Sequence, residues 1–184
     1  MERGPAWLIL PTYDEAENVE AIVRAVLPVL ERSRCDGHKV LIVDDASPDG
    51  TGEIADELAA TFEAVEVLHR PAPQGLGPAY LAGFAHALER GAGLVLEMDA
   101  DFSHAPADVE RLIAAVADGA DLALGSRYCP GGGVTDWGML RRFVSRGGCL
   151  YAQKVLGVGI RDLTGGFKCF RREVLEAIDL DAVR

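Results

Sequence analysis

The fold of this chain is constrained most by a regular alternation of short apolar runs with segments whose apolar residues recur at helical spacing. The first run covers residues 7–10, and Val19, Ile22 and Val26 begin the first helical pattern. The later runs are residues 39–43, 65–68, 94–98 and 122–124. Strands that alternate with helices in this way are typical of a parallel sheet covered on both faces. The sequence therefore predicts an α/β fold with a mostly parallel sheet and helices on both faces.

Length and composition indicate one domain, residues 1–184. With 49% hydrophobic residues the chain is long enough to bury a core. No apolar run approaches the ~20 residues of a membrane-spanning helix, and the first five residues do not resemble a signal peptide. The four cysteines form no Cys-x-x-Cys pair, so we expect reduced thiols and no zinc site. These features favour a cytoplasmic protein.

Charge is distributed unevenly along the chain. The net charge of −11 argues against a general nucleic-acid binder. Residues 1–126 carry 8 Lys/Arg against 23 Asp/Glu, whereas residues 127–184 carry 10 against 6. The basic C-terminal third is either an accident of surface composition or a region that attracts phosphate or an anionic membrane surface.

Two aspartates follow the apolar run at residues 94–98. Asp99 and Asp101 lie where a buried strand ends and a helix soon begins. If the chain is still extended there, the two side chains face the same way and repel, so one must bind a proton or a cation must separate them. A metal site whose ligands are all oxygen atoms favours Mg²⁺ or Mn²⁺. The alternative is that one aspartate caps the helix while the other is solvated, and the pair alone does not decide between the two.

Polar residues also follow the first two predicted strands. Tyr13 and Glu15 come after the first strand, and Asp44 and Asp45 end the second. The carboxyl ends of parallel strands share one edge, where Tyr13 offers a flat face to a base and Asp45 can accept hydrogen bonds. The alternative interpretation of Tyr13 is a half-buried residue that only packs against its neighbours. We favour a ligand contact for Asp45 and assign Asp49 to turn formation.

Two other nucleotide or metal folds fit less well. The Gly-x-Gly-x-x-Gly pattern of dinucleotide-binding folds is missing after the first strand, and no P-loop is present. Residues 41–45 resemble the acidic pair of a response-regulator receiver domain. However, a receiver places that pair after its first strand, so it remains a remote alternative.

Five motifs occur in order along the chain: residues 11–18 (PTYDEAEN), 43–51 (VDDASPDGT), 75–77 (GLG), 98–104 (MDADFSH) and 125–128 (GSRY). Together they resemble the motifs of the inverting GT-A glycosyltransferases, specifically the polyprenol (dolichol) phosphate mannose synthases. The resemblance covers nearly the whole chain. It implies a GT-A, Rossmann-like fold and metal-dependent, inverting transfer of mannose from GDP-mannose to a polyprenyl (dolichyl) phosphate. A related enzyme that uses UDP-glucose or another sugar nucleotide is the alternative.

The resemblance also assigns the donor site and the metal site. The donor-binding residues it implies are Pro11, Tyr13, Glu15, Val43, Asp45, Asp99, Ala100 and Asp101. Asp101, Asp99 and Ser103 would hold Mg²⁺ or Mn²⁺, although Ser103 stands where some members have glutamine. Asp14 replaces the more usual asparagine, so no contact is assigned to it.

The acceptor phosphate is implied to lie among Arg127, Arg141 and Ser145, and Asp99, Asp101 and Arg127 are the expected catalytic residues. Arginine matches phosphate oxygens in bidentate geometry. A lipid phosphate is largely a dianion at neutral pH and needs no general base, so His104 is interpreted as a polar loop residue. Family members continue beyond the position of Arg184, so we expect a C-terminally truncated catalytic domain. A lipid acceptor implies peripheral contact with the cytoplasmic membrane face.

Overall fold

The computed structural model describes residues 4–126, 154–155, 157, 159–160, 162, 165–178 and 180–182. The strands in this part of the chain are β1 (Ala6–Thr12), β2 (His38–Asp44), β3 (Val65–His69), β4 (Leu94–Glu97), β5 (Leu122–Leu124) and β6 (Lys168–Arg171). The helices are α1 (Val19–Glu31), α2 (Thr51–Thr61), α3 (Leu76–Glu89), α4 (Asp108–Ala117) and α5 (Arg172–Ala177), followed by a 3₁₀ turn at Leu180–Ala182. The alternation of strands and helices predicted from the sequence is confirmed.

The strands form one sheet in the order β3-β2-β1-β4-β6-β5. β3, β2, β1 and β4 are parallel, whereas β6 runs antiparallel between β4 and β5. The predicted mostly parallel sheet is therefore confirmed. Because β1 lies at the centre of the parallel part, the ends of β1, β2 and β4 are neighbours at one edge.

Alternating side chains of the strands build a core on each face of the sheet. Leu8 and Leu10 of β1 pack on the face covered by α1, α2 and α4. Trp7 and Ile9 pack on the opposite face, which α3 and α5 cover. Helices thus lie on both faces, as the sequence predicts.

The start of α3 differs from the sequence expectation. The glycines and proline of residues 75–78 predict a turn, yet α3 already begins at Leu76. Pro78 is tolerated there because the first turn of a helix does not need its N–H. Gly75 precedes the helix with φ of 92°, a conformation that favours glycine. The N-terminus of α3 is consequently brought to the carboxyl edge of the sheet.

Candidate active site

A cavity of about 550 Å³ opens at the carboxyl ends of β1, β2 and β4. The residues that line it are Pro11, Thr12, Tyr13, Glu15, Asp45, Pro73, Gly75, Leu76, Ala79, Asp99, Ala100 and Asp101. Seven of the eight predicted donor-binding residues are in this set. The structure therefore brings together residues that are up to 90 positions apart in the sequence.

Val43 is the predicted donor residue that does not line the cavity. Its side chain is fully buried in the core on the α3 face of the sheet. Its carbonyl oxygen accepts a hydrogen bond of 3.5 Å from Thr12 Oγ1. The strand alternation turns the Val43 side chain inward, and the predicted contact of Val43 with a donor stays a prediction.

Asp45 is held by three hydrogen bonds at the nucleoside side of the predicted site. Arg70 Nη1 donates to Asp45 Oδ1 at 2.5 Å, and the backbone amides of Gln74 and Gly75 donate to Oδ2 at 2.9 and 2.8 Å. Arg70 also donates to Gln74 Oε1 at 2.7 Å. Asp45 thus fixes the loop between β3 and α3, and this network uses most of its capacity to accept hydrogen bonds.

The loops after β1 and β2 are joined by backbone and side-chain hydrogen bonds. Asp49 accepts from the amide of Ala16 at 3.0 Å and from the Thr51 hydroxyl at 2.6 Å. Thr51 Oγ1 in turn accepts from the amide of Glu15 at 3.0 Å. The Thr51 hydroxyl, followed by the amide of Ala16, lowers the pKa of Asp49. The assignment of Asp49 to turn formation is confirmed, and its turn also positions Tyr13 and Glu15.

Asp99 has close neighbours from two parts of the chain. The Tyr80 hydroxyl, on α3, donates to Asp99 Oδ1 at 2.9 Å. A Cβ atom added at Gly166 would lie 3.2 Å from Oδ2, so the chain before β6 passes close to the carboxylate. Burial raises the pKa of Tyr80, and the charge of Asp99 raises it further, so the hydroxyl is a donor at neutral pH.

His104 also lies beside Asp99, with Nε2 at 3.8 Å from Oδ2. Its ring stacks on Phe167, with centroids 4.9 Å apart and planes inclined by 20°. The residue is in the loop after β4, as expected from the sequence, but it packs against the candidate site.

Asp101 is exposed. Within the described residues, its side chain accepts hydrogen bonds from Ser103 only. The Ser103 amide donates to Asp101 Oδ1 at 2.9 Å, and the hydroxyl donates to Oδ2 at 2.7 Å. Ser103 does not line the cavity, and in this geometry it orients Asp101. Its direct ligation of a metal stays a prediction.

The described residues contain no group of three or more His, Cys, Asp or Glu side chains arranged to hold a metal. This arrangement nevertheless suits Mg²⁺ or Mn²⁺ bound with a phosphorylated substrate. Such ions commonly use one or two carboxylates, with substrate phosphates and water as the other ligands. Asp99 and Asp101 both line the cavity and supply two carboxylates.

Backbone conformations that L-residues seldom adopt occur in all three loops of the site. Asp14, Ala46 and Phe102 each have φ of 59°. Each directly follows a cavity-lining residue, namely Tyr13, Asp45 and Asp101 in turn. Non-glycine residues in the left-handed region cost of order 1 kcal/mol and cluster at functional sites. The strained backbone positions therefore lie directly beside the lining of the cavity.

Sequence reasoning missed Arg70 and Tyr80, and it left Lys168 open between a phosphate contact and solvation at the strand edge. Arg70 follows β3 at the same edge as the other site residues, and that position was a usable signal. Lys168 of β6 pairs with the buried Glu97 of β4, and burial raises the pKa of Glu97 despite this partner. Tyr80 lies inside a helix, where no local pattern marks it. The predicted acceptor residues Arg127, Arg141 and Ser145 lie outside the described residues.

Solved structures show which fold this chain has. The chain aligns with a mannosyltransferase from Pyrobaculum calidifontis, in complex with GDP-Man and Mn²⁺, at a TM-score of 0.61 and 20% identity over 93% of this chain and 45% of the other. It aligns with glucosyl-3-phosphoglycerate synthase from Mycobacterium tuberculosis at a TM-score of 0.67 and 20% identity, over 95% of this chain and 59% of the other. The fold is that of the GT-A glycosyltransferases.

The family follows from sequence. A model of glycosyl transferase family 2 matches residues 7–179, and the chain belongs to this family. It is 52% identical to a polyprenol monophosphomannose synthase of Mycolicibacterium smegmatis, over 96% of this chain and 65% of the relative. It is 46% identical to an undecaprenyl-phosphate mannosyltransferase of Micrococcus luteus, over 95% of this chain and 70% of the relative. The chain thus spans about two thirds of these relatives.

None of the helices in the described part of the chain is both long enough and apolar enough to cross a membrane.

Proposed function

We propose that this chain catalyses metal-dependent, inverting transfer of mannose from GDP-mannose to a polyprenyl phosphate. The observation that carries the proposal is the convergence of Tyr13, Glu15, Asp45, Asp99 and Asp101 on one cavity. The two similar mannosyltransferases have names that specify polyprenol and undecaprenyl phosphate, and a protein of the same fold was solved with GDP-Man and Mn²⁺. These names support the choice of sugar and acceptor.

In this proposal the chain binds the donor along the carboxyl edge of the sheet. Tyr13 is about half exposed and presents its ring to the base, while Glu15 and Asp45 border the nucleoside. The N-terminus of α3 borders the same side of the cavity, where the amide of Gly75 donates to Asp45. The donor is therefore oriented by groups that are already in place.

Asp99 and Asp101 would hold the divalent cation at the diphosphate end. When bound, Mg²⁺ or Mn²⁺ would neutralise the charge that develops on the leaving diphosphate. An oxygen of the acceptor phosphate would form the new bond to the anomeric carbon of mannose as the bond to the diphosphate breaks and GDP leaves, and attack from the face opposite the leaving group would invert the configuration. Arg127, Arg141 and Ser145 would bind the acceptor phosphate, whose dianion needs no base. A lipid acceptor implies peripheral contact with a membrane surface.

Thermal unfolding with nucleotides tests the donor class. At a ligand concentration of about 100 times Kd, binding stabilises the folded state by about 2.7 kcal/mol. GDP with Mn²⁺ is expected to raise the unfolding temperature, and UDP or acetyl phosphate with Mn²⁺ is expected to raise it less. A larger effect of UDP would favour a UDP-sugar enzyme, and an effect of acetyl phosphate alone would favour a receiver domain.

A matched pair of variants tests the metal assignment. Asp101→Asn is expected to abolish the Mn²⁺-dependent part of the GDP effect while the fold is retained. Asp108→Asn makes the same chemical change on α4, where the exposed Asp108 pairs with Arg111, and is expected to leave the effect unchanged. A normal Mn²⁺ dependence in Asp101→Asn would contradict the assignment. Transfer of radiolabelled mannose from GDP-mannose to a polyprenyl phosphate then tests the reaction itself.

A further inference from the structure

We infer that Tyr80 is a positioning residue that fixes the orientation of the Asp99 carboxylate before the metal and the donor bind. The inference rests on the proposed function, because it concerns the same cavity. Tyr80 lies in the second turn of α3, and its side chain is mostly buried beneath the site. Its hydroxyl is 2.9 Å from Asp99 Oδ1.

The chemistry of this contact has one direction. An ionised carboxylate only accepts hydrogen bonds, so the phenol must be the donor. The Tyr80 ring is held in turn by core packing, with Phe84 6.0 Å away between ring centroids. A donor fixed by the core therefore holds Oδ1 in one place.

The chain before β6 also approaches the carboxylate. A Cβ atom at Gly166 would lie 3.2 Å from Oδ2 and 3.5 Å from Oδ1 of Asp99, so glycine leaves room that any other residue would fill. The carboxylate is thus held by the Tyr80 hydroxyl and has close neighbours, Gly166 and His104, near Oδ2.

The two aspartates are oriented by different parts of the protein. Asp99 is set by a group from the protein core, whereas exposed Asp101 is oriented by its own loop through Ser103. A ligand that is already oriented binds more tightly because less conformational freedom is lost on binding. Removing the Tyr80 hydroxyl should therefore weaken metal binding without altering the ligand itself.

Tyr80→Phe removes that hydroxyl and keeps the ring. Binding of Mn²⁺ in the presence of saturating GDP is measured by the electron paramagnetic resonance signal of free Mn²⁺. We expect the Kd for Mn²⁺ to rise about tenfold, the size typical of losing a hydrogen bond to a charged group at a partly exposed site. Gly166→Ala would crowd the same carboxylate, with its Cβ 3.2 Å from Oδ2, and is expected to raise the Kd as well.

Ala87→Gly is the control for a simple loss of helix stability and packing. Ala87 is buried on α3 in the same core cluster, and the change should lower the unfolding temperature but leave the Kd for Mn²⁺ unchanged. An equal Kd in the original protein and in Tyr80→Phe would overturn the role of Tyr80 alone. An equal increase in Tyr80→Phe and Ala87→Gly would also overturn it, because loss of helix stability would then explain the effect. Absence of Mn²⁺-dependent GDP binding in the unmodified chain would overturn the proposed function and this role together.

Discussion

Replacing Asp45 by asparagine tests whether this residue holds the cavity wall as well as facing a donor. The carboxylate accepts three hydrogen bonds, from Arg70 and from the amides of Gln74 and Gly75. Asparagine has one acceptor oxygen and one amide group that can only donate. If its oxygen faces the two backbone amides, its NH₂ group faces the Arg70 guanidinium, which is a contact between two donors.

The expected size of the effect follows from burial. The side chains of Arg70 and Asp45 are only 9% and 5% exposed, so solvent screens the pair weakly. Removing one partner of a buried ion pair costs about 3–5 kcal/mol. Arg70 keeps its bond to Gln74 Oε1, so we expect the lower end, about 3 kcal/mol of unfolding free energy.

Urea unfolding measures this loss, and hydrogen exchange at the amides of Gln74 and Gly75 measures opening of the loop. Both amides should exchange faster in Asp45→Asn. Asp118→Asn is the matched control, because Asp118 pairs with Arg34 at 2.7 Å on the surface, and it should change stability by less than about 1 kcal/mol. Equal losses in the two variants, with unchanged exchange at residues 74 and 75, would refute the reasoning.

Two further predictions concern parts of the fold that support the site. A hydrogen bond to Asp56 raises the pKa of His69, so this contribution to stability is present below pH 6.5 and is lost as the pH rises through the folded-state pKa. In urea unfolding, His69→Gln should thus lower the free energy of unfolding at pH 5.5 and have little effect at pH 9. The loss at pH 5.5 should be well below about 1 kcal/mol, because the ring is half exposed. A larger loss of stability at pH 9 than at pH 5.5 would contradict this pH dependence. Gly83→Ala should lower the free energy of unfolding by about 2 kcal/mol, because its Cβ would lie 2.5 Å from Ile9 Cγ2 in the core. A Cβ at Gly77, on the same helix, would meet no atom within 4 Å, so Gly77→Ala should leave stability unchanged or raise it. Equal unfolding midpoints for the two alanine variants would contradict the packing argument.

The sequence predicted the elements of the fold well because their signals are local. The spacing of Val19, Ile22 and Val26 reports one buried helix face, and α1 buries all three. The position of β6 between β4 and β5 was not predictable in the same way. Its pairing with Leu94–Glu97 spans more than 70 residues and depends on a register that no local pattern encodes.

The candidate site was predicted as a set of strand ends, and this part succeeded for a physical reason. Parallel strands must deliver their carboxyl ends to one edge, so Tyr13, Asp45 and Asp99 had to be neighbours. The hydrogen bonds between those loops were not predictable, because they depend on loop conformation. The left-handed backbone at Ala46 shows this, since alanine carries no sequence signal for φ above zero.

Under the proposed function, the charges around the cavity differ between its two ends. Asp45 is paired with Arg70 and accepts hydrogen bonds from two amide groups, so an uncharged base and ribose could lie beside it without a further counterion. Within the described residues, no lysine or arginine forms an ion pair with Asp99 or Asp101, and His104 is the charged neighbour of Asp99 when it is protonated. An anionic diphosphate placed beside the two aspartates would be repelled unless a divalent cation bound between them. We therefore propose that the diphosphate and the metal lie toward β4 and the nucleoside toward β2.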